Sequence, residues 1–151
     1  ECARDVVAGR GFSARFARAL SVPPPSLALT TPVQQRAWAY VVAHAGRRVR
    51  TEGLPAPLGV PREHLTRTFA AEGAPNLKRI IDLVRLLAAA ELAKNPGYDI
   101  RDVASVLDFA SSSHLSSTAQ RIIGTRPASL ARLRSVDLIQ RFCKGHGRSR
   151  S

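Results

Sequence analysis

The stretch that most constrains this chain is NLKRIIDLVRLLAAAELAK, residues 76–94. Leu77, Ile80, Ile81, Val84, Leu87, Ala88 and Leu92 recur at helical spacing, with Lys78, Arg79, Asp82 and Arg85 on the other side. Leu and Ala cost a helix least. Asn76 can accept a backbone N–H as N-cap, Pro75 keeps the chain extended before it, and Asn95-Pro96-Gly97 stops the helix. At ~1.5 Å per residue the helix is roughly 28 Å long. On either side lies a similar segment: a short apolar helix, a turn, then a polar helix. A rod of this length holds two such units about one turn of duplex DNA apart, ~34 Å.

In the first segment, Thr51 to Ala71, the apolar contacts fall to Leu54, Leu58, Val60, Leu65 and Phe69. Gly59 is the turn residue, able to adopt positive φ. Pro61 opens a helix to Ala71 that shows Arg62, Glu63, Thr66 and Arg67 to solvent. Before it, Thr31-Pro32 starts a helix from Val33 to about Ala45, with Trp38 as its core anchor. In the second segment, Asp99 to Ile123, Asp99 caps a helix that buries Val103, Ala104 and Leu107. Asp108-Phe109-Ala110 makes the turn, and Ser111, Ser112 and Ser113 each offer an N-cap for the next helix. That helix buries Leu115, Ala119, Ile122 and Ile123. Its polar side is Ser112, Ser113, His114, Ser117, Thr118 and Arg121. Gly124 to Pro127 ends it, and a last helix runs from Ala128 to about Phe142.

The chain has 151 residues, enough for a mid-sized domain, with 23 basic against 11 acidic side chains, a formal charge of +12 and a pI near 11.4. That balance favours polyanionic partners. Cys2 and Cys143 make no disulfide framework or metal-ligand spacing, so a reducing cytoplasm is expected and no metal. No apolar run is long enough for a membrane span, so no membrane partner is expected. Nor is there a nucleophile–base pair, a pair of carboxylates at useful spacing or a phosphate-cradling glycine loop. An enzyme is therefore not expected.

The order of elements resembles the DNA-binding module of the AraC/XylS family of bacterial transcription regulators over roughly residues 33–137. The most specific part is Ile100-Arg101-Asp102-Val103-Ala104, then Phe109, Ser111, Ser113, Gly124, Pro127 and Arg132. The first half matches at Leu54, Gly59-Val60, Leu65, Arg67 and Phe69, and the linker helix at Arg85, Ala90 and Leu92. The resemblance implies an all-α fold: two helix-turn-helix subdomains, homeodomain-like helical bundles, joined by a long linker helix. The expected division is 1–31 as the tail of an upstream domain or a linker, and 32–137 as the double helix-turn-helix domain. Within the latter, 32–75 is the first unit, 76–94 the linker and 99–137 the second unit. Residues 138–151 are expected to be a flexible basic tail.

Double-stranded DNA is the implied partner, with RNA polymerase as a second. The implied setting is the cytoplasm, on the nucleoid. No cofactor is implied, and an effector or dimerisation domain is expected outside this chain. Base-edge candidates are Arg62, Glu63, Thr66 and Arg67 in the first unit, and Ser112, Ser113, His114, Ser117 and Thr118 in the second. Phosphate candidates are Arg47, Arg48, Arg121 and Arg126. The sequence departs from the pattern in three ways. Pro55 and Pro57 predict a short or distorted leading helix. Asp108 replaces a glycine before Phe109, and Asp tolerates the left-handed conformation. Ser117 and Ala119 leave the second recognition helix smaller and less charged than the family pattern. The alternative reading is a basic helical interaction domain for an acidic protein partner.

Overall fold

The computed structural model describes residues 16, 18–45, 49–69 and 76–150, without the side chains of 145–150. Among the described residues, every regular element is helical. In chain order the α-helices are α1 (Pro32–Ala43), α2 (Pro55–Leu58), α3 (Arg62–Phe69), α4 (Leu77–Ala93), α5 (Ile100–Val106), α6 (Ser112–Ile123), α7 (Pro127–Leu130) and α8 (Ser135–Arg150).

Local chemistry accounts for the starts. The Thr31 side chain accepts from the Gln34 backbone N–H, and the Gln34 carboxamide accepts from Thr31 N–H in return, closing a capping box on α1. Asn76 caps α4 by accepting from Arg79 N–H at 2.9 Å. Asp99 and Asp102 form a second box on α5. Of the three serines offered for α6, Ser111 is the one that caps, accepting from His114 N–H at 3.0 Å.

Helix α4 runs unbroken for 17 residues, roughly 26 Å, but it is not a rod with a solvated side. Thirteen of its residues are buried, including Asp82 and Arg85, at 2% and 5% exposure. The expected polar side therefore holds only for Lys78 and, in part, Arg79. The reason is packing. Helix α1 lies against α4, and α5, α6, α7 and α8 also close on it. A helix walled in by five others is exposed only near its ends, at Lys78 and Glu91, so the ionisable groups between them need internal partners. Asp82 accepts from Lys78 Nζ at 3.0 Å and from Arg121 Nη2 at 3.1 Å.

The ends of the domain also differ from expectation. Phe16, Leu27 and Leu29 are buried in the same core as Trp38, and Trp38 Nε1 donates to the Leu20 carbonyl at 2.7 Å. The 21–31 segment is thus packed on the bundle, with a 3₁₀ turn at Pro25–Leu27, rather than strung out as a linker. Near the other end, the expected single helix is split at residues 131–134. Asp137 accepts from Arg134 N–H at 3.0 Å and opens α8. Leu138, Ile139 and Phe142 of α8 are buried, so a boundary after residue 137 would cut a packed helix. Cys2 lies outside the described residues.

Candidate nucleic-acid interface

Two helix-turn-helix units are formed, α2–α3 and α5–α6. Each turns on one left-handed residue. In the first, Gly59 has φ +66°, its N–H donates to Ala56 O, and Val60 N–H donates to Pro55 O. In the second, Asp108 has φ +59°, its N–H donates to Ser105 O, and Phe109 N–H donates to Ala104 O. These are the same helix closure, in which the two amides after the last turn satisfy carbonyls that a helix end leaves open. The expected shortening of the first leading helix is present. Pro55 and Pro57 confine α2 to four residues, preceded by a 3₁₀ turn at Thr51–Gly53.

The second helix of each unit is amphipathic. In α3, Leu65 and Phe69 are buried, while Arg62, Glu63, His64, Thr66 and Arg67 are exposed. Glu63 and Arg67, four residues apart, lie opposite the buried pair. Arg62 and Thr66 lie on the flank facing the start of α4, where with Thr51, Asn76 and Lys78 they line a cleft. In α6, Leu115, Thr118, Ala119, Ile122 and Ile123 are buried.

Thr118 does not belong to the polar side. At 2% exposure it lies one turn after Leu115 on the buried stripe and cannot reach a base. His114 is half-buried, its ring edge-on to Phe109 at 5.6 Å between centroids, and Ser112 is also partly covered. Ser113 and Ser117 are exposed opposite the buried stripe, and so is Gln120. Gln120 was missed in the sequence, although it stands three residues after Ser117 and seven after Ser113 on one helical face. Its carboxamide carries both a donor and an acceptor, as an adenine edge requires.

Among the phosphate candidates, Arg121 is held by Asp82 across the α4–α6 contact while staying half exposed. Arg126 is exposed just before α7 and lines an apolar groove of about 590 Å³ with Tyr98, Ser116 and Ala128. Arg47 and Arg48 lie outside the described residues. Arg85 spans the base of the second unit. Its Nη2 donates to Leu107 O at 3.0 Å and to Asp108 O at 2.8 Å, and its guanidinium carbon lies 3.8 Å from the Phe109 ring centroid. A buried cation is tolerated there because it meets the carbonyl end of α5 and a π face.

A family model described as a helix-turn-helix domain matches residues 55–132, which is 78 of the 151 residues. The matched span opens at α2 and closes after α7, so it covers both units and the helix between them. The chain belongs to the AraC-type helix-turn-helix family. No curated protein and no solved structure gives a significant match. This AraC-type chain is accordingly a DNA-binding domain of transcription regulation, and its family is one of regulators rather than of enzymes. Among the described residues, no helix is long and apolar enough to cross a membrane.

Proposed function

We propose that α3 and α6 enter successive major grooves on one face of double-stranded DNA and read two short blocks about a helical turn apart. The observation that carries this reading is the repetition of one unit, with the same left-handed closure and an exposed polar helix, on either side of the unbroken α4. Arg67 offers a bidentate contact to guanine and Glu63 an acceptor for cytosine. Ser113, Ser117 and Gln120 supply short uncharged contacts. Arg62, Arg126 and the first turns of α3 and α6 serve phosphates. Arg121 reaches the backbone only with the part of its guanidinium that Asp82 does not hold. Contact with RNA polymerase at promoter DNA follows from the same role.

The test is selection of bound sites from random duplexes, followed by titration at rising salt. Two conserved blocks are expected, with affinity falling linearly in log salt as counterions are released. A protein-interaction domain would select no sequence at all. The low charge of α6, with Arg121 its one basic residue, is what favours that rival, and the same selection decides it.

A further inference from the structure

The two units share more than the turn. Arg36 of α1 donates through Nη2 to Leu58 O, and Arg85 of α4 donates through Nη2 to Leu107 O. Each carbonyl belongs to the residue just before the left-handed one, Gly59 or Asp108. Each arginine stands 22 residues before the carbonyl it holds. The helix leading into each unit therefore reaches forward and pins the same point of the turn. From that turn the recognition helix departs.

We infer that Arg36 and Arg85 are a matched pair of positioning residues, each setting the entry angle of one recognition helix, Arg36 for α3 and Arg85 for α6. This rests on the two-block reading above. The geometry gives the pair its logic. A helix-turn-helix unit reads bases only if its second helix leaves the first at a fixed angle, and the turn is where that angle is set. The guanidinium is suited to the task because it is planar, always charged and rich in donors. An ammonium in its place is a single point charge that cannot lie flat on a ring.

The two members are not equal. Gly59 takes positive φ without steric cost, and Arg36, which holds it, is exposed. Asp108 carries a Cβ into the same conformation, and Arg85, which holds it, is buried. Arg85 also takes a second carbonyl, that of Asp108 itself, and stacks on Phe109. The stronger hold thus stands where the backbone has the greater tendency to leave its conformation. Arg85 offsets the residue that is not glycine.

The experiment uses the full chain and a random double-stranded DNA pool. Sites are selected with the wild type and with Arg67→Ala, Arg36→Lys, Arg85→Lys and Arg85→Lys/Asp108→Gly. Arg67→Ala identifies the block read by α3. Arg36→Lys should then lose discrimination in that block alone, and Arg85→Lys in the other alone, each on the order of tenfold, the scale of one bidentate base contact. Asp108→Gly should restore part of the block lost by Arg85→Lys, because glycine removes the strain of a Cβ at positive φ while the angle still lacks the hold that Arg36 gives at Gly59.

General loosening of the bundle would instead weaken both blocks together, and that result, or no change in either block, overturns the inference. If Arg85→Lys does not fold, recovery of folding and of the block by Asp108→Gly supports the assignment, and no recovery overturns it. A single block from the wild type overturns the two-block reading itself, and is distinguishable because no variant is involved.

Discussion

The two helix-turn-helix units solve one problem with different materials. The first is charged and lightly built. Its leading helix is a single turn clipped by two prolines, with no side-chain cap at Leu54, and its recognition helix presents Arg62, Glu63 and Arg67. The second is uncharged across its reading face and firmly tied. Its leading helix has a carboxylate capping box. Its recognition helix spans 12 residues between Ser111 and the left-handed Gly124. Arg85 holds its turn, and Asp82 holds Arg121 one helical turn before Gly124. The comparison separates two jobs that a single unit would have to combine. On the proposed two-block reading, the charged contacts of the first unit supply more of the affinity and base preference than the uncharged face of the second.

The largest effect that would break this comparison is on binding. Arg67→Ala should cost about 1–3 kcal/mol at a selected site, the worth of a good bidentate base contact. Ser117→Ala at the matching place in α6 should cost less, on the order of the ~0.5–1.5 kcal/mol of an ordinary hydrogen bond. Fluorescence anisotropy on one labelled duplex checks both. Equal losses, or a larger loss in α6, would reverse the division of labour. Gln120→Ala belongs to the same series and should exceed Ser117→Ala, because a carboxamide can make two bonds to one base.

Next is the backbone of the two turns, where the signs should be opposite. Gly59→Ala should destabilise by about 1 kcal/mol, the cost of a Cβ at positive φ. Nothing lies within 4 Å of where that Cβ would be, so the effect is purely conformational. Asp108→Gly should stabilise by something under about 1 kcal/mol, since glycine's extra freedom in the unfolded chain takes back part of the gain. Urea unfolding of the two variants against wild type reads both. A stabilising Gly59→Ala would mean that the first turn is not held where it stands in the structure.

Much of this asymmetry was legible in the residues. The prolines of α2, the left-handed Asp108, the caps at Thr31, Asn76 and Asp99, and the buried Leu115 and Ala119 all follow from local rules of spacing and capping. What was not legible came from packing between elements distant in sequence. Asp82 and Arg85 look like the solvated side of an amphipathic helix until five other helices close around α4. Thr118 looks polar until the stripe running from Leu115 to Ile122 rotates it inward. Leu27 closes a proline-rich stretch that packs on α8, which arrives more than a hundred residues later. Gln120 is the exception. Its helical spacing from Ser113 and Ser117 is present in the sequence itself.

The smallest expected effect sharpens the comparison through pH. Asp99 caps α5 by accepting the Asp102 backbone N–H at 2.9 Å, and that bond, ahead of the opposing cost of burial, holds its carboxyl below the ordinary carboxylate value of 3.8. A depressed carboxylate stabilises the fold at all pH values above that ordinary value. The contribution is lost as pH falls through the lowered one. Asp137 is lowered in the same direction, first by the backbone N–H of Arg134, so α8 shares the behaviour. The leading helix of the first unit has no carboxylate cap to lose. Acidification from about pH 6 to about pH 2, across the carboxylate range, should therefore shift the amide resonances of Asp102 and Arg134. Those of Ala56 and Leu58 in α2 should stay put until global unfolding. Movement of α2 in step with α5 would show that the two units melt as one, and that the firmer build of the second gives it no separate local stability.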